Sequence, residues 1–377
     1  MKCKKILTAL LAAACTMSGC HGDLDIMQDN KLSASNMWID ESDAETATYG
    51  IYLYMRDALK SVHDIYLCWG EFRNGLWGAG TNKTLSGVDQ TQVRTSTMSS
   101  SNAYADWSVM YKTVNQANLI LKHVPEMGIS ESVRNFSLGN AYFSRAWCYF
   151  WIARIWGDAP LALTGYESTA GDLYLPRAPK AEIFARIESD LTEAERYVTD
   201  NSDKAVATPA AVQMLKADYA LWMYRVAGGG SSYLTMAEKA IEALNLSASR
   251  LESDYAQVFS SANKLNKEVI FAVHQANGEA VNGPGYYLGW NSNYVEAAYQ
   301  NNPVPITGGN QWWWYTDRYK ALLTSVEGDT RTKLTYNRAD YGTTIKSIEW
   351  TEKGVGQMIS GARIFDCDFI LYRYAEA

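Results

Sequence analysis

Cysteine and histidine are scarce in this sequence, and their spacing argues against several kinds of site. The 377 residues include six cysteines and four histidines. No C-x-x-C pair, no H-E-x-x-H and no G-x-S-x-G is present. The sequence therefore predicts no metal site, no cofactor and no hydrolase nucleophile. Acidic residues are so numerous that some pair must lie at glycosidase-like spacing, so carboxylates alone do not predict an enzyme. We expect a protein without catalytic activity.

Long apolar runs and excess positive charge are also missing. Beyond the first 20 residues, no segment approaches the ~20 apolar residues that a membrane-spanning helix needs. The formal net charge is −7, from 34 Lys and Arg against 41 Asp and Glu. An acidic surface disfavours nucleic acid and anionic lipid headgroups as partners, whereas it tolerates neutral ligands.

The amino terminus has the pattern of a lipoprotein leader. Three lysines at positions 2, 4 and 5 precede an apolar run over residues 6–14, and Met17-Ser18-Gly19 precedes Cys20. Small residues before a cysteine are typical of a lipobox. We expect residues 1–19 to be a signal peptide and Cys20 to be acylated, which leaves 20–377 as the mature domain. Ordinary cleavage beside an incidental cysteine is the alternative.

Apolar residues recur at helical spacing through most of the chain. Such stretches cover residues 42–59, 105–124 and 183–198, and two more helices are predicted from Thr208-Pro209 to about Val226 and from Ser231 or Ser232 to about Leu246. Short turns between helices favour antiparallel pairs. After Asn263 the sequence pattern changes. We interpret residues 268–274 as an alternating strand, and residues 275–315 are rich in Gly, Asn, Pro and aromatics. We predict a mainly α fold with long loop-rich insertions and minor β structure.

The segment from Leu138 to Leu163 is the most informative in the chain. It reads LGNAYFSRAWCYFWIARIWGDAPLAL and is apolar nearly all round, which predicts a helix packed between other helices and ended by Gly157. Arg145 and Arg154 interrupt the apolar surface. An unpaired guanidinium is costly in such a place, so each is expected to meet a carboxylate, a carbonyl or solvent.

This helix resembles the signature helix of the SusD/RagB family, the surface nutrient-binding lipoproteins of Bacteroidetes. The family pattern A-x-F-x-R-A-x-x-Y-F-x-L-x-x-x-W-G-D-x-P is matched by Ala141, Phe143, Arg145, Ala146, Tyr149, Phe150, Trp156, Gly157, Asp158 and Pro160. Further resemblances follow in family order, from WSVMYKTVNQAN at 107–118 to Gly328-Asp329-Thr330-Arg331. Residues 372–377 are similar to the opening of the family's next helix, so we expect an N-terminal and central portion of such a domain, without its C-terminal helices.

The resemblance implies a fold, a location and a set of partners. The fold would be a tetratricopeptide-like solenoid of helical pairs. The location would be the outer membrane, with the chain lipid-anchored and facing the exterior. The function implied is capture of an oligosaccharide or polysaccharide and its delivery to a SusC-type TonB-dependent transporter. A RagB-like peptide-binding protein and a scaffold for a protein partner are the alternatives, and a ligand screen with both glycans and peptides would separate them.

The aromatic residues suggest where a ligand binds. The chain has 13 tryptophans and 25 tyrosines, and several lie in polar or glycine-rich segments, where a flat ring can face the C–H face of a sugar while amides and charges bind its hydroxyls. Two clusters have this mixture, and the resemblance places ligand loops in the same regions of the chain. The proposed ligand-binding residues are Trp69, Arg73, Asn74, Trp77 and Asn82 in the first cluster, and Trp290, Trp312, Trp313 and Trp314 in the second, with Asn291, Asn293, Asn310, Gln311 and Trp350 nearby.

Not all of these tryptophans need to face solvent. Trp147, Trp151, Trp156 and Trp222 lie on predicted helices and are expected in the core, and about half of the loop tryptophans could be there too. Three consecutive tryptophans, at 312–314, cannot all point to one side of a strand. At least one of the three is therefore expected to be exposed.

Overall fold

The protein is described from a computed structural model that covers residues 37–80, 87–169, 173–275, 288–307, 311–339, 348–351, 358–359, 362–363 and 369–377. The predicted leader and Cys20 lie outside these residues, so the lipid site is a sequence-based expectation. Residues 40–377 form one compact unit.

Helices dominate the described part of the chain, which confirms the predicted mainly α fold. They are α1 Glu41–Trp69, α2 Val88–Thr95, α3 Ser108–His123, α4 Glu131–Trp156, α5 Lys180–Tyr197, α6 Pro209–Arg225, α7 Ser232–Glu242, α8 Tyr255–Val258, α9 Asp317–Leu323 and α10 Thr330–Thr335.

The strands are short and pair two by two. They are β1 Trp77–Ala79, β2 Ala159–Pro160, β3 Arg177–Ala178, β4 Val269–Val273, β5 Trp313–Tyr315, β6 Asn337–Ala339, β7 Ile348–Trp350, β8 Met358–Ile359, β9 Ala362–Arg363 and β10 Phe369–Arg373. The antiparallel pairs are β1–β5, β2–β3, β4–β10, β6–β7 and β8–β9.

Helix α4 is the central element of the helical part. It packs against α1, α3 and α5, and its aromatic side chains Phe143, Trp147 and Phe150 are buried. The helix ends at Trp156 because Gly157 adopts φ +72°, a conformation that favours glycine. The predicted buried helix and its end are confirmed.

Arg145 and Arg154 of α4 have the partners that their setting requires. The Arg145 guanidinium donates to both carboxylate oxygens of Asp190 on α5, at 2.8 and 2.7 Å, and to Asn118 Oδ1 on α3 at 2.8 Å. The Arg154 guanidinium donates to Asp218 Oδ2 on α6 at 3.1 Å. These contacts connect α4 to three neighbouring helices through charge as well as apolar packing.

Helices α6 and α7 pack against each other, as the short turn between them predicted. Thr208 caps α6, since its hydroxyl accepts from the Ala211 amide at 3.1 Å, and Pro209 occupies the first turn. Among the described residues, no helix combines the length and apolar character needed to cross a bilayer.

Strand β4 was predicted correctly, but the alternation expected of it was not found. All five of its residues are buried, because Phe271 contacts the ring of Phe143 on α4 and of Tyr52 on α1, while the strand edge pairs with β10. A strand covered on both faces has no polar side to show.

Candidate functional site

The β1–β5 pair joins the two aromatic clusters that the sequence predicted. Trp77 lies opposite Tyr315, Gly78 opposite Trp314 and Ala79 opposite Trp313. The pairing continues at Gly80, whose amide donates to the Trp312 carbonyl at 3.1 Å. A Cβ on Gly80 would lie 1.5 Å from the Gln311 carbonyl oxygen, so only glycine permits this approach.

A stack of rings supports one face of this pair. Phe72 lies parallel to Trp313, with ring centroids 4.1 Å apart, and meets Trp77 edge-on at 4.9 Å. Trp77 also contacts Tyr315 at 4.6 Å. Side chains alternate along a strand, so Trp77, Trp313 and Tyr315 share this face. Trp77 is half-buried, while Phe72, Trp313 and Tyr315 are buried.

The structure corrects the expectation that at least one of the three tryptophans at 312–314 is exposed, because two of them are buried and the third is half-buried. Strand β5 contains Trp313 and Trp314, and both are 1% exposed although they point to opposite faces. Trp313 is covered by Phe72, and the Trp314 indole donates to a carboxylate oxygen of Glu349 at 2.6 Å. Trp312, just before the strand, is the half-buried member of the run.

Glu349 on β7 connects the segments on the second face. Its carboxylate accepts from the Trp314 indole and from the Tyr336 hydroxyl, the latter at 3.0 Å, and lies 3.3 Å from Lys320 Nζ. Its backbone carbonyl accepts from the indole of Trp290 at 2.9 Å and from the Gln311 amide at 2.8 Å. Glu349 is 6% exposed, so one buried residue fixes five surrounding side chains.

Three other predicted tryptophans are part of the core. Trp69 is 8% exposed, donates to the Tyr104 carbonyl at 3.0 Å and packs against Trp156. Trp290 and Trp350 lie in a separate apolar cluster with Val295, Val304 and Ile348. Burial of these rings removes the faces that a sugar would contact.

The accessible part of the predicted site is therefore smaller than the sequence suggested. Trp77 and Trp312 retain solvent-facing surface, and Arg73 and Asn74 are exposed beside Trp77. The Asn74 carboxamide accepts from the Leu76 amide at 2.9 Å, which fixes the turn into β1. Asn291 and Asn293 lie in a separate 3-10 turn. Asn82 and Asn310 lie outside the described residues.

Sequence reasoning missed three residues that build the site. Phe72 and Tyr315 stand directly beside predicted residues, so the aromatic clusters could have been extended to include them. Glu349 carries no comparable signal, because it is one of 41 acidic residues and becomes important only through contacts with β5 and α9.

Burial is the main cause of the tyrosine pKa shifts around the site. Desolvation raises the pKa of Tyr315 above its usual range. Desolvation and the negative charge of Glu349 together raise the pKa of Tyr336. Both phenols therefore stay neutral at physiological pH and serve as packing and hydrogen-bonding groups. In the described part of the chain, no three His, Cys, Asp or Glu side chains come together as a metal site.

Comparison with known sequences identifies relatives over part of the chain. A family model described as "Starch-binding associating with outer membrane" (SusD-like) matches residues 79–222. The SusD-like protein P38 of Formosa agariphila is 26% identical over 190 residues, which is 50% of this chain and 36% of that protein. The aligned region thus spans little more than a third of that relative.

Solved structures with the same fold cover most of the chain. NanU of Bacteroides fragilis has a TM-score of 0.73 and 27% identity, over 92% of this chain and 74% of its own. A surface glycan-binding protein A from Bacteroides thetaiotaomicron, solved with laminarihexaose, has a TM-score of 0.70 over 89% of this chain and 77% of its own, at 16% identity. The second likeness concerns the fold alone. These comparisons confirm the predicted tetratricopeptide-like architecture.

Proposed function

We propose that this chain, which is similar to SusD-like proteins over residues 79–222, captures a neutral oligosaccharide outside the cell and delivers it to a SusC-type TonB-dependent transporter. The similarity to this family supports an outer-membrane association and glycan binding in general. The choice of ligand surface, the transporter partner and the lipid anchor at Cys20 are parts of the proposal.

The observation that carries the ligand surface is the environment of Trp77. Its indole is half-buried and held against Phe72 and Tyr315, with ring centroids 4.9 and 4.6 Å away. A ring fixed in this way loses little conformational freedom when it stacks on a sugar. We assign the binding of sugar hydroxyls to the Arg73 guanidinium and the Asn74 carboxamide, which are exposed and precede Trp77 by four and three residues.

Trp312 supplies a second accessible ring at the other end of the same sheet. Three strand positions separate Trp77 from Gly80, which pairs with Trp312, so the two places lie roughly 10 Å apart along the strand. If alternation continues past β5, Trp312 shares the face of Trp314 and not that of Trp77. We therefore treat the two rings as separate subsites, with Trp77 as the principal one.

Binding at such a surface is expected to be weak and without bond cleavage. Much of each sugar stays solvated at an open surface, and only the buried ring contact contributes strongly. No base-activated nucleophile or pair of acids is proposed at Trp77. Transport requires release, so modest affinity suits a protein that passes its ligand on.

Affinity gels containing a panel of neutral polysaccharides test the proposal. We expect the chain to be retarded in at least one gel and Trp77→Ala to lose most of that retardation, since truncating an aromatic anchor costs about 1–3 kcal/mol, or roughly 5- to 150-fold in affinity. Trp312→Ala should have a smaller effect. Tyr174→Ala, at a tyrosine that is 93% exposed outside the site, is the matched control.

Unchanged retardation for both tryptophan variants would defeat the proposed ligand surface. Binding to a peptide panel with no glycan binding would favour the peptide alternative. Co-purification with a transporter and binding of neither ligand class would favour the scaffold alternative.

A further inference from the structure

A cavity of about 650 Å³ lies between the start of α6, the segment that follows α7 and strand β4. Ligand pockets commonly have volumes of roughly 300–1,000 Å³. Three cationic side chains line it: Lys204, Arg250 and Lys267. No carboxylate is found among the described residues of its wall, which is unusual in a chain whose formal net charge is −7.

Within the described chain, the three cations have no ion-pair partner. Lys204 Nζ donates to the Asn266 carbonyl at 2.5 Å, and Arg250 donates to the Tyr374 hydroxyl while its guanidinium lies 4.6 Å from the centre of that ring. These neutral partners orient Lys204 and Arg250 without neutralising their charge. The nearby Glu268 carboxylate is engaged by Arg373 at 3.3 Å.

The pKa of Lys204 reflects this positively charged environment. Burial and the neighbouring charge of Arg250 lower its pKa, and Glu252 opposes them without reversing the shift. Removing a cation from water beside a second cation is unfavourable. An anion in the cavity would relieve both effects.

Neutral polar groups complete the wall. Asn201, Gln213 and Asn245 contribute amides, and Thr208 and Ser249 contribute hydroxyls. Amides and hydroxyls bind the hydroxyl groups of a ligand, whereas the cations bind its charge. We propose that this cavity binds a small organic anion, a carboxylate with neighbouring hydroxyl groups.

The anion cavity is independent of the proposed glycan surface. It shares no residue with the β1–β5 pair, with Phe72 or with Glu349. Failure of one site to bind its ligand therefore leaves the other unaffected. Trp77→Ala distinguishes them, because it should leave anion binding unchanged.

Titration calorimetry of the chain with D-glucuronate, D-glucose and sodium sulfate at low ionic strength tests the proposal. Glucuronate is expected to bind at least tenfold more tightly than glucose, and more tightly than sulfate. Lys267→Gln, at an exposed lysine, and Arg250→Gln should each weaken glucuronate binding about tenfold. Added salt should weaken binding as well, since it screens the attraction. Lys239→Gln, at an exposed lysine of α7 outside the cavity, is the control.

Several outcomes would overturn the proposal. Equal binding of glucose and glucuronate would show that charge plays no part, and equal binding of sulfate would remove the role of the hydroxyls. Normal glucuronate affinity in a folded Lys267→Gln variant, with its melting temperature unchanged, would place any binding elsewhere.

Discussion

Arg145 illustrates how a single charged residue is accommodated inside a nearly apolar helix. Its side chain is 5% exposed and that of Asp190 is 0% exposed, so both charges depend on each other rather than on water. Asn118 accepts a further hydrogen bond at 2.8 Å. The sequence required a partner for Arg145, but it could not indicate which of the many acidic residues would provide it.

Arg145→Met is expected to destabilise the protein by about 3–5 kcal/mol, because it leaves the Asp190 carboxylate buried without its main partner. Urea unfolding followed by circular dichroism measures the change. The double variant Arg145→Met with Asp190→Leu should recover part of the loss, since it removes both charges. Arg196→Met, at an arginine whose side chain is 69% exposed, should change stability by less than about 1 kcal/mol. If Arg145→Met also lost less than about 1 kcal/mol of stability, the buried ion pair would contribute little.

Glu349 has a comparable role among the aromatic segments. Glu349→Ala would leave the Trp314 indole and the Tyr336 hydroxyl without their acceptor, and we expect a loss of about 1–3 kcal/mol of stability. Glu349→Gln keeps one acceptor oxygen, so its stability should lie between that of Glu349→Ala and that of the native chain. Thermal unfolding measures both, with the exposed Glu327→Ala as control. Equal melting temperatures for the two alanine variants would contradict the role given to Glu349.

At the scale of elements, the helices could be predicted better than the strands. Periodicity and end signals located α3, α5 and α6 within a few residues, because caps such as Thr208 act locally. Helix α4 begins earlier than its apolar stretch, at Glu131, and α1 extends to Trp69. Helix α2, with its short polar sequence, was not predicted at all.

The candidate site could be predicted only in outline. Polar surroundings identified the two aromatic segments, and β1–β5 pairing joins them. Which rings face solvent could not be derived, since Trp313 and Trp314 are covered by residues distant in sequence. The residue types next to a strand in the sequence do not show which distant side chains pack on its second face.

Gly80→Ala tests whether this pairing builds the ligand surface. The added Cβ would meet the Gln311 carbonyl oxygen at 1.5 Å, so the two backbones must separate. We expect a loss of about 3 kcal/mol of stability, at the upper end for overpacking, together with reduced retardation in the glycan gel and altered near-ultraviolet circular dichroism from the stacked tryptophans. Gly128→Ala, where the added Cβ meets nothing within 4 Å, is the control. If Gly80→Ala kept normal stability and normal glycan binding, β1–β5 pairing would not be what builds the ligand surface.

At the scale of the whole molecule, we propose that Cys20 carries the lipid that attaches the protein to the membrane. Cys20→Ser is therefore expected to move the protein from the membrane fraction to the soluble fraction and to abolish labelling by palmitate. Cell fractionation and metabolic labelling measure the two effects. Cys68→Ser, at a buried cysteine of α1, is the control. Membrane association that survives Cys20→Ser would assign attachment to another part of the protein.

The pairing of Leu76 with Thr316 connects positions 240 residues apart. Since α2 to α8 all lie between them in the chain, ribosomal synthesis completes this helical region well before β5 is made. Contacts of such long range form only after the intervening chain has been ordered. A partly synthesised chain would therefore lack the proposed ligand surface, which would form only once residues 313–315 have been made and have paired with residues 77–79.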